Sequence, residues 1–193
     1  MFESIAAQCT KGVRRLAAAP AARRLVRQQD GAAAVEFALV AAPFLALVFA
    51  IMETAIVFFA GQALETAAAD SARLIMTGQA QTQGLDQAGF KNAVCAKIYG
   101  LFDCQNGVYI DVKKFTSFSN VSMAAPVDAN GNYQNLTYQP GGACDIVVVR
   151  LFYQYPVYVS LLGFSMSNVT GGKRLLAATA AFRNEPFSSS SGC

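Results

Sequence analysis

The sequence predicts an α+β protein: a long N-terminal membrane-spanning helix that continues into a small globular head with a short helix and an antiparallel β-sheet. Three observations carry this prediction: an apolar run after residue 31, helical periodicity beyond it, and alternating apolar residues in the C-terminal half. Residues 37–59 include one charged side chain, that of Glu53. A helix needs about 20 apolar residues to cross ~30 Å of bilayer hydrocarbon, so this run is long enough.

The basic charge of the chain is concentrated in a leader, residues 1–31. The leader carries six basic and two acidic side chains, whereas residues 32–193 carry nine basic and ten acidic ones. The larger part therefore lacks the basic footprint of a nucleic-acid-binding protein, and we expect no nucleic-acid partner. The positive-inside rule predicts a cytoplasmic leader and an exported C-terminal part. Two interpretations of the leader stay open: an amphipathic helix interrupted at Pro20, or a disordered targeting segment.

A lone carboxylate, Glu36, lies near the start of the apolar run. An ionisable group inside a membrane helix costs at least ~2.5 kcal/mol and by default indicates a function. Cleavage after Gly31 would make Ala32 the first residue and Glu36 the fifth, with the aromatic Phe37 next. This arrangement, after a basic leader, resembles the prepilin-peptidase signal of type IV pilins. The Val-Glu-Phe form resembles TadE-like minor pilins (pseudopilins) of the tight-adherence, Flp-type pilus.

Two later segments carry the same resemblance: Ala-Arg-Leu-Ile-Met-Thr-Gly-Gln-Ala at residues 72–80 and Phe-Arg-Asn-Glu-Pro at residues 182–186. The resemblance implies a pilin-like architecture and a prepilin peptidase that cuts between Gly31 and Ala32. It implies that Glu36, beside Phe37, sets subunit register by pairing with the new amino group of a neighbouring subunit. The implied partners are other pilins and minor pilins, the assembly platform in the bacterial inner membrane, and the lipid bilayer.

The resemblance also implies a location and excludes one role. The chain would cross the inner membrane once, with its N-terminus cytoplasmic and its head periplasmic, and would reach the pilus or cell surface after assembly. Flp major pilins are very short and mostly helical, so a large cysteine-bearing head argues against the major fibre subunit. No cofactor is implied.

Helical periodicity continues beyond the apolar run. In residues 61–78 apolar side chains recur at helical spacing between polar ones, which predicts an amphipathic helix leaving the membrane. Gly78 is predicted to end this helix, and Pro43 is predicted to kink the membrane part. The predicted divisions are a leader at 1–31, a membrane or pilin-core helix at 32–60, an amphipathic continuation at 61–78 and a periplasmic head at 79–193.

The head is predicted to begin with a second helix over residues 86–99, which Gly100 ends. Its buried stripe is Phe90, Val94, Cys95 and Ile98. Alternation of apolar and polar residues predicts strands at 108–114, 145–155 and 173–183. The second of these is apolar on both faces at its start, so we expect it to be the central strand. Residues 119–143 are predicted to form a long loop of the kind that is often functional or mobile.

The cysteines fit an exported domain. Loss of Cys9 with the leader would leave an even count, which outside the cytoplasm predicts two disulfides; four free thiols are the alternative. An unbroken helix would hold the Cα atoms of Cys95 and Cys104 ~13 Å apart, too far for a disulfide. A chain reversal after Gly100 would bring them together, and we predict a Cys95–Cys104 bridge. Antiparallel pairing of the last two strands would bring Cys144 near the tail and predicts a Cys144–Cys193 bridge; a free or interchain Cys193 is the alternative.

The residue types present argue against several kinds of catalytic and metal site. The chain has no histidine, which excludes Ser-His and Cys-His nucleophile mechanisms, and we predict that it is not an enzyme. Residues 128–132 lack two calcium-loop ligands, so no metal site is predicted.

The first hypothesis is a minor pilin that a prepilin peptidase cleaves and that enters or initiates a tight-adherence pilus. The alternative is an uncleaved single-pass membrane protein with an exported binding or envelope-assembly domain; an Asp/Glu/Lys-only exported enzyme comes third.

Overall fold

The computed structural model describes residues 31–98, 100, 102–159 and 165–187, and it has the predicted α+β class. A long N-terminal helix precedes short helices and a three-stranded antiparallel sheet. The helices are α1 (Ala32–Met76), α2 (Gln79–Thr82), α3 (Gln87–Cys95) and α4 (Cys104–Gly107); the strands are β1 (Val108–Phe115), β2 (Ile146–Pro156) and β3 (Lys173–Arg183); a 3-10 turn spans Phe118–Asn120. The predicted leader helix, Pro20 and Cys9 lie outside the described residues.

The chain divides into two compact units, residues 1–45 and 46–193. The described part of the first unit is the N-terminal portion of α1, which contains Pro43 and in which residues 32–40 are all exposed. Among the described residues, α1 is the one helix long and apolar enough to cross a membrane. Its most apolar 18-residue window has a mean hydropathy of 2.4, and none of that window is buried.

In the second unit, the C-terminal part of α1 packs on the sheet. Its buried residues recur every three or four positions, which places them on one face of the helix. They are Glu53, Val57, Ala60, Leu64, Ala67, Ala68, Ser71, Ala72 and Ile75. Alanine dominates this stripe, and its small side chain lets a helix approach its neighbour closely. The opposing core residues include Val108, Ile110 and Val112 of β1 and Val147, Val149 and Leu151 of β2.

The sheet has the order β1-β2-β3, so β2 is central, as its doubly apolar start predicts. Both strand pairs are antiparallel. In the β2–β3 pair, Ile146 faces Arg183 at one end and Pro156 faces Lys173 at the other. The predicted antiparallel pairing of the last two strands is therefore confirmed.

Helix α3 is shorter than predicted. Asp86 caps its N-terminus by accepting a hydrogen bond from the Gly89 N–H at 2.7 Å, and the helix ends at Cys95 rather than at residue 99. The Ile98 N–H then donates to the Cys95 carbonyl at 3.2 Å. This bond joins residues three positions apart, so a tighter turn replaces the last predicted turn of the α-helix. Gly100 follows in the left-handed region, with φ of 64°. Phe90, Val94 and Ile98 are buried, as predicted, whereas Cys95, the fourth residue of the predicted stripe, is only partly buried.

Helix α1 ends just before Gly78, which adopts the left-handed conformation with φ of 78°. The ring of Phe187 occupies the space that a Cβ at Gly78 would need. The Glu185 N–H donates to the Met76 carbonyl at 2.8 Å. Glycine is therefore required at this end of α1 both by the backbone conformation and by the C-terminal segment that closes over it.

Candidate functional site

The predicted processing junction lies at the start of α1. Gly31 and Ala32 are both exposed. Glu36 is also exposed, and the side chain of Phe37 is 74% exposed. Within the described residues, no hydrogen bond or ion pair reaches the Glu36 carboxylate. Inside a bilayer or a bundle of apolar helices a carboxylate needs a partner, and no described residue supplies one to Glu36.

Large apolar side chains surround this carboxylate along α1. Those exposed before Glu53 are Val35, Phe37, Leu39, Val40, Phe44, Leu45, Leu47, Phe49, Ile51 and Met52. A water-soluble surface rarely carries so large a contiguous apolar patch, which marks contact with lipid or with other proteins. The segment that holds Glu36 is therefore suited to a bilayer or to packing against other apolar helices.

The second carboxylate of α1, Glu53, has partners within the chain. It is 9% exposed and accepts hydrogen bonds from the backbone N–H groups of Tyr158 and Val159. The Val159 bonds measure 3.0 and 3.1 Å. Since β2 ends at Pro156, these bonds hold the segment that follows the strand against the helix. The role of Glu53, which the sequence leaves open, is thus to join α1 to the sheet domain.

A shallow cavity of about 250 Å³ opens beside Glu53. Its lining is almost entirely apolar or aromatic and comprises Phe49, Met52, Glu53, Ile56, Tyr155, Tyr158 and Val159. Burial raises the pKa of the Tyr155 phenol, and the nearby Tyr158 and Glu53 raise it further. The phenol therefore adds no charge to the cavity, and the Glu53 carboxylate in its lining is bonded to backbone N–H groups.

The predicted disulfide between Cys95 and Cys104 is confirmed. The two Cα atoms are 5.6 Å apart, within the range that a disulfide requires, because the chain reverses between α3 and α4. Cys144 is also disulfide-bonded. Cys193 lies outside the described residues, so the Cys144–Cys193 pairing stays a prediction.

A buried ion pair lies on the opposite face of the sheet from α1, and the sequence analysis missed it. The Arg150 Nη2 atom is 2.6 Å from Asp111 Oδ2, and the Arg150 Nε–H donates to the same oxygen at 3.0 Å. Both residues are buried. They face each other across β1 and β2. In the sequence, each is a single charged residue in an apolar strand, and they can be recognised as a pair only when the register of the two strands is known.

The ion pair also fastens the long loop that the sequence predicts after β1. The Thr137 N–H donates to Asp111 Oδ1 at 2.8 Å, and Arg150 Nη1 donates to the Ala124 carbonyl at 3.2 Å. The loop additionally bonds the edge of β1, where the Val112 N–H donates to the Thr137 carbonyl at 2.7 Å. These hydrogen bonds hold the loop against the sheet.

The weak calcium-loop pattern at residues 128–132 forms a turn. The Asp128 carboxylate accepts the backbone N–H groups of Asn130 and Asn132, both at 2.8 Å. Hydrogen bonding by Asn132 is the main cause that lowers the pKa of Asp128. Across the described residues, no group of three or more acidic or thiol side chains is placed to hold a metal ion.

Comparison with known proteins bears on the long helix. Residues 31–73 match the family model of the TadE-like proteins. No curated protein matches the chain, and no solved structure matches it. The match begins at Gly31, the residue predicted to precede the cleaved bond, and ends within α1. The segment at residues 182–186 lies outside it, as does the segment at residues 72–80 except for its first two residues. The resemblance predicted from the Gly31–Phe37 motif is therefore confirmed over residues 31–73, which are similar to the TadE-like proteins.

Proposed function

We propose that the protein is a minor pilin, or pseudopilin, of a tight-adherence pilus, which a prepilin peptidase processes and which then enters or initiates the fibre. The observation that carries the proposal is the TadE-like match, which begins at Gly31. The TadE-like family suggests an association with this pilus system and a structural role. We accordingly propose no catalytic activity.

The proposed processing site is the peptide bond between Gly31 and Ala32. Nothing in the described chain requires glycine at position 31, because a Cβ there would meet no atom within 4 Å and the backbone is outside the left-handed region. A small residue at an exposed junction is instead explained by an enzyme that must approach the backbone closely. Cleavage would leave α1 with Ala32 as its first residue.

The proposed role of Glu36 follows from the same cleavage. The new amino group on Ala32 of one subunit is a cation that Glu36 of a neighbouring subunit can pair with. In an apolar bundle of helices neither charge is stable alone, so the pair favours one axial register over others. The exposed apolar residues around Glu36 would form the packing surface between subunits.

The proposed location is the bacterial inner membrane, with residues 1–31 cytoplasmic and the head periplasmic. The basic leader supports this orientation. The disulfide between Cys95 and Cys104 supports an oxidising compartment for the head. The proposed partners are the prepilin peptidase, other pilins, the assembly platform and the bilayer.

The proposal is tested by the N-terminal sequence and intact mass of the membrane-extracted chain, expressed with and without a prepilin peptidase. We expect a chain starting at Ala32 only when the peptidase is present. A Gly31→Val variant should remain uncut, because the branched side chain blocks close approach to the backbone. A Gly61→Val variant serves as the matched control and should be cut normally. A wild-type chain that still starts at Met1 with the peptidase present would contradict processing and leave an uncleaved membrane anchor.

A further inference from the structure

We propose that the cavity beside Glu53 contacts bilayer lipid and that Tyr158 is an interfacial anchor, which sets how deep the head lies in the membrane surface. The inference goes beyond pilus assembly, but it rests on α1 crossing a bilayer. Three features of the second unit carry it: the chemistry of the cavity, the fixed exposure of Tyr158 and the basic residues at the same end of the sheet.

The cavity has the chemistry of a lipid contact. Three of its lining residues, Phe49, Met52 and Ile56, belong to the apolar stretch of α1 and are 57%, 53% and 44% exposed. The carboxylate of Glu53 already accepts backbone hydrogen bonds. The rest of the lining is aliphatic or aromatic, so the cavity offers mainly hydrocarbon and aromatic surface to its occupant.

Tyr158 is held in an exposed position. Its side chain is 82% exposed, but its backbone N–H is bonded to Glu53. The preceding residue, Val157, donates its N–H to the Gly172 carbonyl at 3.0 Å. The Val159 N–H on the other side also donates to Glu53, at 3.0 Å. The backbone that carries the exposed ring is thus held at three successive residues. Tyrosine is enriched at membrane–water interfaces, since its ring is apolar and its hydroxyl is polar.

Basic side chains lie at the same end of the sheet. Lys173 pairs with Pro156, and Arg174 pairs with Tyr155, at the end of β2 that leads to Tyr158. Lys173 is exposed. In a lipid surface the phosphate groups lie above the hydrocarbon. The basic side chains could therefore contact phosphate while the cavity contacts hydrocarbon, with the tyrosine ring between them. This charge favours a lipid surface over the apolar helix of another subunit as the occupant.

The chain contains no tryptophan, so a Tyr158→Trp variant carries one indole whose depth can be measured. The full chain would be reconstituted into phosphatidylcholine–phosphatidylglycerol vesicles whose acyl chains are brominated either near the glycerol or near the chain end. We expect emission at shorter wavelength than in water, and stronger quenching by bromines near the glycerol than by bromines near the chain end.

Two control variants separate the possible failures. Phe118→Trp places the indole beyond the opposite end of β1, at a residue that is 59% exposed, and should not be quenched. Phe44→Trp places it in the apolar part of α1 and should be quenched best by bromines near the chain end.

The result that overturns the inference is a Tyr158→Trp chain quenched no more than the Phe118→Trp chain, while the Phe44→Trp chain is quenched. Short-wavelength emission from position 158 without bromine quenching would overturn it in favour of a protein contact. If Phe44→Trp is not quenched either, the membrane span itself fails, and the proposed function fails with it.

Discussion

Two carboxylates of the same helix have opposite surroundings. Glu36 is exposed among apolar side chains, with no hydrogen bond or ion pair to any described residue. Glu53 is 9% exposed and accepts the N–H groups of Tyr158 and Val159. An acid in apolar surroundings must find a partner. Where the chain itself supplies the donors, the acid stabilises the fold; where it does not, the acid is available for a partner molecule.

The surfaces of α1 differ in the same way. Before Glu53, large apolar residues such as Phe37, Phe44 and Phe49 are exposed. After it, a stripe rich in alanine is buried against the sheet. A small alanine side chain suits a face that packs on a sheet, whereas a contiguous patch of large exposed apolar residues marks contact with lipid or with another protein. The part of the helix before Glu53 is thus suited to contact with lipid or with another protein, and the part after it packs on the sheet of the same chain.

The largest effect on the stability of the head is expected at Asp111. Replacement Asp111→Ala leaves the guanidinium of Arg150 buried without its partner, which costs about 3–5 kcal/mol of unfolding free energy. The measurement is urea unfolding of the detergent-solubilised chain, followed by near-UV circular dichroism of the head tyrosines. The control Asp70→Ala, at an exposed position of α1, should change the unfolding free energy by no more than about 0.5 kcal/mol. Equal effects of the two replacements would contradict a structural role of the ion pair.

A smaller loss of stability is expected at Glu53. Replacement Glu53→Gln keeps an oxygen acceptor but removes the charge, which weakens the bonds from Tyr158 and Val159 and costs about 1–2 kcal/mol of unfolding free energy. The same urea experiment applies, with Glu65→Gln as the control because Glu65 is an exposed acid of the same helix. If Glu53→Gln is as stable as Glu65→Gln, the contrast between Glu53 and Glu36 loses its energetic basis.

The smallest effect on stability is expected at Glu36. Replacement Glu36→Gln removes no described contact, so the unfolding free energy of the head should change by less than about 0.5 kcal/mol. Membrane insertion should also be unchanged. Incorporation into pili should nevertheless be lost, because the charge that we propose to pair with the neighbouring amino group is gone. Immunoblotting of sheared pili measures this, with Glu65→Gln as the variant that incorporates normally. Normal incorporation of Glu36→Gln would rule out the proposed register pair.

Local patterns in the sequence were sufficient for the long helix, the three strands and the Gly31–Phe37 motif, but not for the short helices α2 and α4. The apolar run predicts a long helix, and α1 spans Ala32–Met76. Alternation predicts the strands to within two residues, and the double apolar start of β2 predicts its central position. These features depend on neighbours in the sequence, so they can be read without a fold. The length of α3 could not be predicted in this way, because the chain reversal before Cys104 replaces the last turn of that helix.

The sequence by itself determined that a TadE-like helix with a carboxylate near its start precedes an α+β head, and that Cys95 and Cys104 come together. Only the tertiary structure decided which acids are satisfied inside the chain. Asp111 meets Arg150 through the register of β1 on β2, and Glu53 meets backbone donors more than 100 residues later. Such partners are set by the packing of distant segments, whereas periodicity and motif spacing report only on nearby residues.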